Sequence, residues 1–140
     1  MIESPNLLSL AEQAKLFREG KLTAVDNVKS HLELINNLNP KLNSFITVDS
    51  KGALEQAKFL DKSRNNGDNL GPLSGAILGV KDSIPTKDIT TTNNSRLLRN
   101  WRPKQDASVI SRLKKAGAII IGKTNLNEFG WSRPSELDLN

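Results

Sequence analysis

Gly117-Ala118-Ile119-Ile120-Ile121-Gly122-Lys123-Thr124 is the stretch on which the fold turns. Ala118 to Ile121 are apolar without a break, so neither face of an extended chain here is suited to water. That pattern marks a strand covered by helices above and below, usually in a parallel sheet. The same eight residues satisfy the P-loop spacing G-x-x-x-x-G-K-[ST] letter for letter. A phosphate cradle, however, needs the intervening residues as a loop with amides turned to the ligand. Three isoleucines call for a buried strand, which then lies inside the motif instead of before it. No later apolar strand ending in aspartate supplies a magnesium partner, so P-loop nucleotide binding is a distant third reading.

Outward from that strand, the sequence alternates elements. Asp106 caps a preceding helix with the inward stripe Ala107, Ile110, Leu113 and Lys114, stopped by Gly117. Thr124 to Phe129 begins a short helix. Upstream, Leu73 to Val80 reads as a strand, and Ile84 to Arg102 is largely irregular, with Pro85, three consecutive threonines and two asparagines. Long loops of this kind carry function or lie against it.

Nearer the N-terminus, Ser9 opens a helix with Leu10, Ala11, Ala14, Leu16 and Phe17 at helical spacing, closed by Gly20. Thr23 caps a second helix with the stripe Val25, Val28, Leu32, Ile35 and Leu38, ended by Asn39-Pro40. These two read as an antiparallel pair. Asn43 to Asp49 is a short strand, and Ser50 caps a helix bearing Ala53, Leu54, Ala57, Phe59 and Leu60. The expectation is a layered α/β fold, with a helical appendage over about residues 7–66 and the start of an α/β core over about 70–131. No internal repeat is found.

The 140 residues, 36% hydrophobic and 25% charged, fit one soluble domain with one core. No apolar run approaches the ~20 residues that cross a bilayer, and residues 1–5 lack the features of a secretion signal, so a cytoplasmic protein with no membrane contact is expected. The net charge of +5 is spread among fifteen acids. The tightest basic cluster, Arg96, Arg99, Arg102 and Lys104 around Trp101, reads as a surface loop, and nucleic acid is not an expected partner of this chain. With no cysteine and one histidine, His31, neither a zinc site nor a Ser-His-Asp triad is assembled from these residues, and no metal or cofactor is expected.

Lysine, serine, threonine and paired carboxylates remain as catalytic options. Lys81 stands out because it ends the apolar run Gly75 to Val80. A lysine carried on an apolar strand loses part of its hydration and can then act as a base, which a lysine on a wet helix face does not.

Gly71-Pro72-Leu73-Ser74-Gly75, Val80-Lys81-Asp82, Thr91-Thr92 with Ser95, Asp106-Ala107, Gly117-Ala118 and Gly122-Lys123-Thr124-Asn125 with Glu128-Phe129 occur in one order. Together with Asn39-Pro40-Lys41-Leu42-Asn43-Ser44-Phe45, this set resembles the amidase signature family over Leu7 to Trp131. Within that family it is similar to the type that includes the A subunits of glutamyl-tRNA(Gln) and aspartyl-tRNA(Asn) amidotransferases. The resemblance implies the N-terminal part of a layered α/β/α amidase-signature fold with a helical N-terminal appendage.

It also implies amide hydrolysis, or release of amide nitrogen, by a lysine, a bridging serine and a nucleophilic serine. Lys81 matches the lysine. Asp82 would fix the turn after the strand, Thr91, Thr92 and Ser95 would brace the lysine loop, and Asn125 and Glu128 would tie the short helix to the strand ends. Trp131 stands where family members often place a methionine lining the substrate pocket.

The chain departs from the family in three ways. Ile77 and Asn94 replace a common proline and glycine, the sequence drifts after Ser132, and no Gly-Gly pair marks a serine-bearing segment. The expectation is therefore a single, incomplete amidase domain, truncated or one half of a split enzyme, and inactive alone. It would handle a small amide only when completed by a complementary amidase chain or by amidotransferase subunits. The alternative is a non-catalytic remnant serving as a protein-binding module.

Overall fold

The computed structural model describes residues 4–131. Its elements are α1 (Leu10–Arg18), α2 (Ala24–Leu42), β1 (Phe45–Val48), α3 (Ser50–Asn65), β2 (Ile77–Lys81), α4 (Ser108–Lys115) and β3 (Ile119–Thr124), with short 3-10 turns at Pro5–Leu7, Arg96–Leu98 and Glu128–Gly130.

The isoleucine run forms the middle strand of a three-stranded sheet ordered β1-β3-β2. It runs parallel to β2 and antiparallel to β1, so the sheet is mixed. Alternation along β3 then divides the core. Ile119 and Ile121 join Ile77 under Phe17 of α1, Ala24 and Val28 of α2, and Ala53, Ala57 and Leu60 of α3. Ile120 joins Val80 against Ile110 of α4 and Ile89 of the irregular loop. Helices on one face and a helix with a loop on the other make an α/β/α layering.

The P-loop reading is excluded by this arrangement, because the residues between the motif's glycines are the buried strand itself. Gly117 closes α4 at φ +92, and a Cβ there would lie 2.1 Å from the Ser74 hydroxyl and 2.8 Å from the Ser74 Cα. The position is shaped for chain reversal and close packing.

Several boundaries differ from those the sequence suggests. α2 runs through Pro40 to Leu42, because in the final turn the ring forfeits only one intrahelical bond. The helix ends at Asn43 with φ +48, whose amide reaches the Asn39 carbonyl at 2.8 Å. The principal helix pairing is α2 with α3, not α1 with α2. Asp61 of α3 secures it by accepting from the α2 N-terminal amides of Ala24 (2.8 Å) and Val25 (3.1 Å), where a carboxylate satisfies free donors and meets the positive end of the helix dipole.

Asp49, not Ser50, caps α3. Leu73 to Gly75 form a turn ahead of β2, with Gly75 at φ +83. Asp106 does not cap α4 and instead accepts from the Lys87 amide (2.7 Å) and the Lys114 ammonium (2.9 Å). β3 continues past Ile121 to Thr124 because Gly122 admits the β1 backbone: a Cβ at Gly122 would lie 2.3 Å from the Thr47 carbonyl oxygen. The short helix expected from Thr124 is only the 3-10 turn at Glu128–Gly130. Among the described residues, no helix is long and apolar enough to cross a membrane.

Candidate active site

Parallel strands β2 and β3 end together, with Lys81 opposite Thr124, and in such sheets ligands gather beyond the carboxyl ends of the strands. Lys81 is the last residue of β2 and its side chain is exposed. The amine lies over Gly130, whose φ is +71 and where an added Cβ would lie 3.8 Å from Nζ. The loss of hydration expected at Lys81 is therefore absent among the described residues. Its backbone lies in the sheet, but its long side chain extends past the end of the strand into solvent.

The dehydrated lysine is Lys123, which is fully buried. Its ammonium donates to the Ile84 carbonyl, to Thr91 Oγ1 at 2.9 Å and to Thr86 Oγ1 at 3.1 Å. It stands 4.0 Å from the buried Asp82 carboxylate. Burial pushes Lys123 down to about 8, and the Asp82 charge limits the fall. Sequence reading missed this group because it assigned Gly122-Lys123-Thr124 to a rejected phosphate motif and ended the strand at Ile121. The available signal was a lysine directly continuing an all-apolar strand, a place where an amine must find oxygen partners.

Asp82, next to Lys81, is anchored from several directions. Its amide donates to the Thr124 carbonyl at 3.0 Å, and its carbonyl accepts from the Asn93 amide at 3.2 Å. Oδ2 accepts from both the Thr92 amide (2.9 Å) and the Thr92 hydroxyl. Thr91 belongs to the Lys123 network, whereas Ser95 sits apart, accepting from the Leu97 amide at 3.4 Å to cap the 3-10 turn.

Asn94 adopts φ +51, a backbone conformation that favours glycine. Bonds at both its ends hold it there: its amide donates to Thr92 Oγ1 (3.0 Å) and its Nδ2 to the Leu126 carbonyl (2.7 Å). Asn125 joins the end of β3 to the start of β1, its amide donating to the Ser44 carbonyl (2.8 Å) and its Nδ2 to the Asn43 carbonyl (2.9 Å). Glu128 is half-buried at the start of the last 3-10 turn.

Trp131 is 81% exposed. An open cleft of about 550 Å³ lies beside the strand ends, lined by Asn43, Ser44, Asn94, Thr124, Asn125 and Asn127 with Leu42 and Leu126. Among the described residues, no group of three His, Cys, Asp or Glu side chains is placed to hold a metal ion.

The Amidase family model matches residues 26–137. The chain belongs to the amidase family. Among curated amidase relatives, the glutamyl-tRNA(Gln) amidotransferase A subunit of Streptomyces coelicolor is 43% identical over 129 residues, which are 92% of this chain and 26% of the relative. The protein of the same description from Salinispora arenicola is 40% identical over the same shares. Native peptide amidase from Stenotrophomonas maltophilia superimposes with a TM-score of 0.82 at 32% identity, over 88% of this chain and 26% of that one. The chain thus spans about a quarter of the length of the amidases it matches.

Proposed function

We propose that these residues are the lysine-bearing part of a single amidase-signature domain, and that Lys81 is the base of a Ser-Ser-Lys relay acting on an amide. The observation that carries this reading is the placement of Lys81. It ends a strand parallel to β3, at the sheet edge where ligands gather, in a chain of amidase fold and sequence.

In that relay a neutral lysine accepts the proton of a bridging serine, which accepts the proton of the attacking serine. The proton then returns to the leaving amine, while backbone amides hold the oxyanion. The two serines and the oxyanion amides come from sequence outside these 140 residues, on a complementary amidase segment. That segment also covers Lys81 and supplies the dry surroundings its role requires. Asp82, Thr91 and Thr92 brace the lysine loop, Ser95 and Glu128 support the turns beside it, Asn125 ties the strand ends, and Trp131 lines the substrate approach once it is covered. Relatives named as amidotransferase A subunits support partner subunits and an amide-nitrogen donor as substrate. The site works in the cytoplasm and needs no metal or other cofactor.

The exposure of the Lys81 side chain favours one second reading, a non-catalytic protein-binding module. Amide hydrolysis separates the two. The 140-residue chain alone is expected to turn over no simple primary amide. Mixed with a polypeptide covering the remaining three quarters of the Streptomyces coelicolor relative, it is expected to gain turnover that Lys81→Ala lowers by at least about 100-fold. Turnover by the 140 residues alone that Lys81→Ala removes would overturn the need for outside serines. Complemented turnover indifferent to Lys81→Ala would overturn its role as base.

A further inference from the structure

We propose that Lys123 is a positioning residue for Lys81: its buried ammonium clamps the loop that follows β2 and so fixes the backbone from which the Lys81 amine projects. This rests on the reading of Lys81 as the catalytic base. The argument starts from hydrogen-bond polarity. Thr86 Oγ1 gives its own proton to the Ile84 carbonyl (3.1 Å), and Thr91 Oγ1 gives its proton to the Ile89 carbonyl (3.1 Å). Both hydroxyls are left as acceptors toward Lys123, and the Ile84 carbonyl is an acceptor by nature. Three acceptors face one nitrogen. An ammonium has three donors and matches them all, whereas a neutral amine has two and leaves one acceptor unmet.

The acceptors lie at residues 84, 86 and 91, so a single side chain gathers a segment that has no strand or helix of its own. The charge is balanced locally. β1 and β2 bring Thr47 and Val80 opposite Lys123, the loop brings Ile84, Thr86 and Thr91, and the Asp82 side chain is the acidic group beside it at 4.0 Å. With its proton lost only near pH 8, Lys123 is charged at neutral pH.

The path to Lys81 is short. Asp82 turns one carboxylate oxygen to Thr92 and leaves Oδ1, buried and without a hydrogen-bond partner among the described residues, as the atom nearest Lys123. The Asp82 amide and carbonyl are bonded to Thr124 and Asn93, so the residue after Lys81 is held on both its peptides. Asn93 in turn accepts from the Phe129 amide at 2.9 Å, and this brings the Gly130 backbone under the Lys81 amine. Replacing Lys123 frees the loop that carries these contacts.

The test is amide hydrogen exchange on the 140-residue chain at pH 7, read by NMR. In Lys123→Met, protection of the Thr92, Asn93 and Asn94 amides is expected to fall at least about tenfold while Val28 and Leu32 in α2 stay within about twofold of wild type. Should Lys123→Met fail to fold, Thr91→Val, which removes one acceptor at nearly constant shape, is expected to lower the same three amides at least about threefold. Loop protection within twofold of wild type in whichever variant folds would overturn the proposal, as would an equal loss in loop and α2.

In the complemented amidase, the same variant is expected to lower kcat about tenfold with KM within about threefold, a split that mere loss of folded protein does not produce as a change per active site. Unchanged kcat per active site would overturn the positioning role. If the loop responds but complemented wild type shows no turnover, the assignment of Lys81 as base fails instead.

Discussion

At the residue scale, Asp82 joins the catalytic candidate to the buried lysine, and its neighbour Thr92 makes that junction testable. The Thr92 hydroxyl donates to the Asp82 carboxylate and accepts from the Asn94 amide, and its own amide donates to the same carboxylate oxygen. Hydrogen bonds to a charged group contribute about 1.5–3 kcal/mol, and a buried carboxylate that loses one finds no water to replace it. Thr92→Val keeps the shape and removes the hydroxyl. The expected loss is about 2–3 kcal/mol in urea unfolding at pH 7, with an unchanged m value. A loss below about 0.5 kcal/mol would mean that the carboxylate is stabilised elsewhere. Threonines 91 and 92 attract notice in the sequence because three in a row are unusual in a loop. Their partners were not legible, since Thr91 faces a lysine 32 residues away and Thr92 an aspartate 10 residues back along the chain.

At the element scale, apolar periodicity marks helices α1 to α4, each of which buries one stripe, whereas an unbroken apolar run marks β3, which is buried on both faces. Periodicity fails where buried positions are polar. Gln13 and Asn27 are 4% and 0% exposed, yet neither belongs to the apolar stripes that mark α1 and α2 in the sequence. Together they form the bridge that seats the helical layer on the sheet. Asn27 Nδ2 donates to Gln13 Oε1 (2.9 Å) and to the Gly75 carbonyl (2.8 Å), and Gln13 Oε1 also accepts from the Ile77 amide that opens β2 (3.1 Å). The α3 cap falls one residue earlier than expected, on Asp49 instead of Ser50, and α4 has no side-chain cap because Asp106 is engaged by Lys87 and Lys114. Asn27→Leu leaves the Gly75 carbonyl buried without its donor and is expected to cost about 2 kcal/mol. Measured stability equal to wild type would show that α1 and α2 are held by Phe17 and Val28 packing alone.

At the scale of the whole molecule, one buried amine makes folding depend on alkaline pH. In the unfolded chain a lysine keeps its proton to about pH 10.4, whereas folded Lys123 gives it up at about 8. Between those values the unfolded chain binds more protons, so the free energy of unfolding rises with pH. Below about pH 8 both states carry the charge and the folded state bears the whole cost of burying it. Above about 10.4 both are neutral and the cost is gone. The shift corresponds to about 3 kcal/mol across the window, most of it gained by pH 9.5. The sequence contains no tyrosine and no cysteine, whose titration would otherwise overlap this range. Urea unfolding from pH 7 to 9.5 is therefore expected to show wild type gaining about 2 kcal/mol, and Lys123→Met following a flat line from a lower start, since its Asp82 partner stays buried without a counter-charge. A wild-type stability that is level or falling over this range would place the Lys123 amine in contact with water, and the clamp on the Lys81 loop would lose its physical basis.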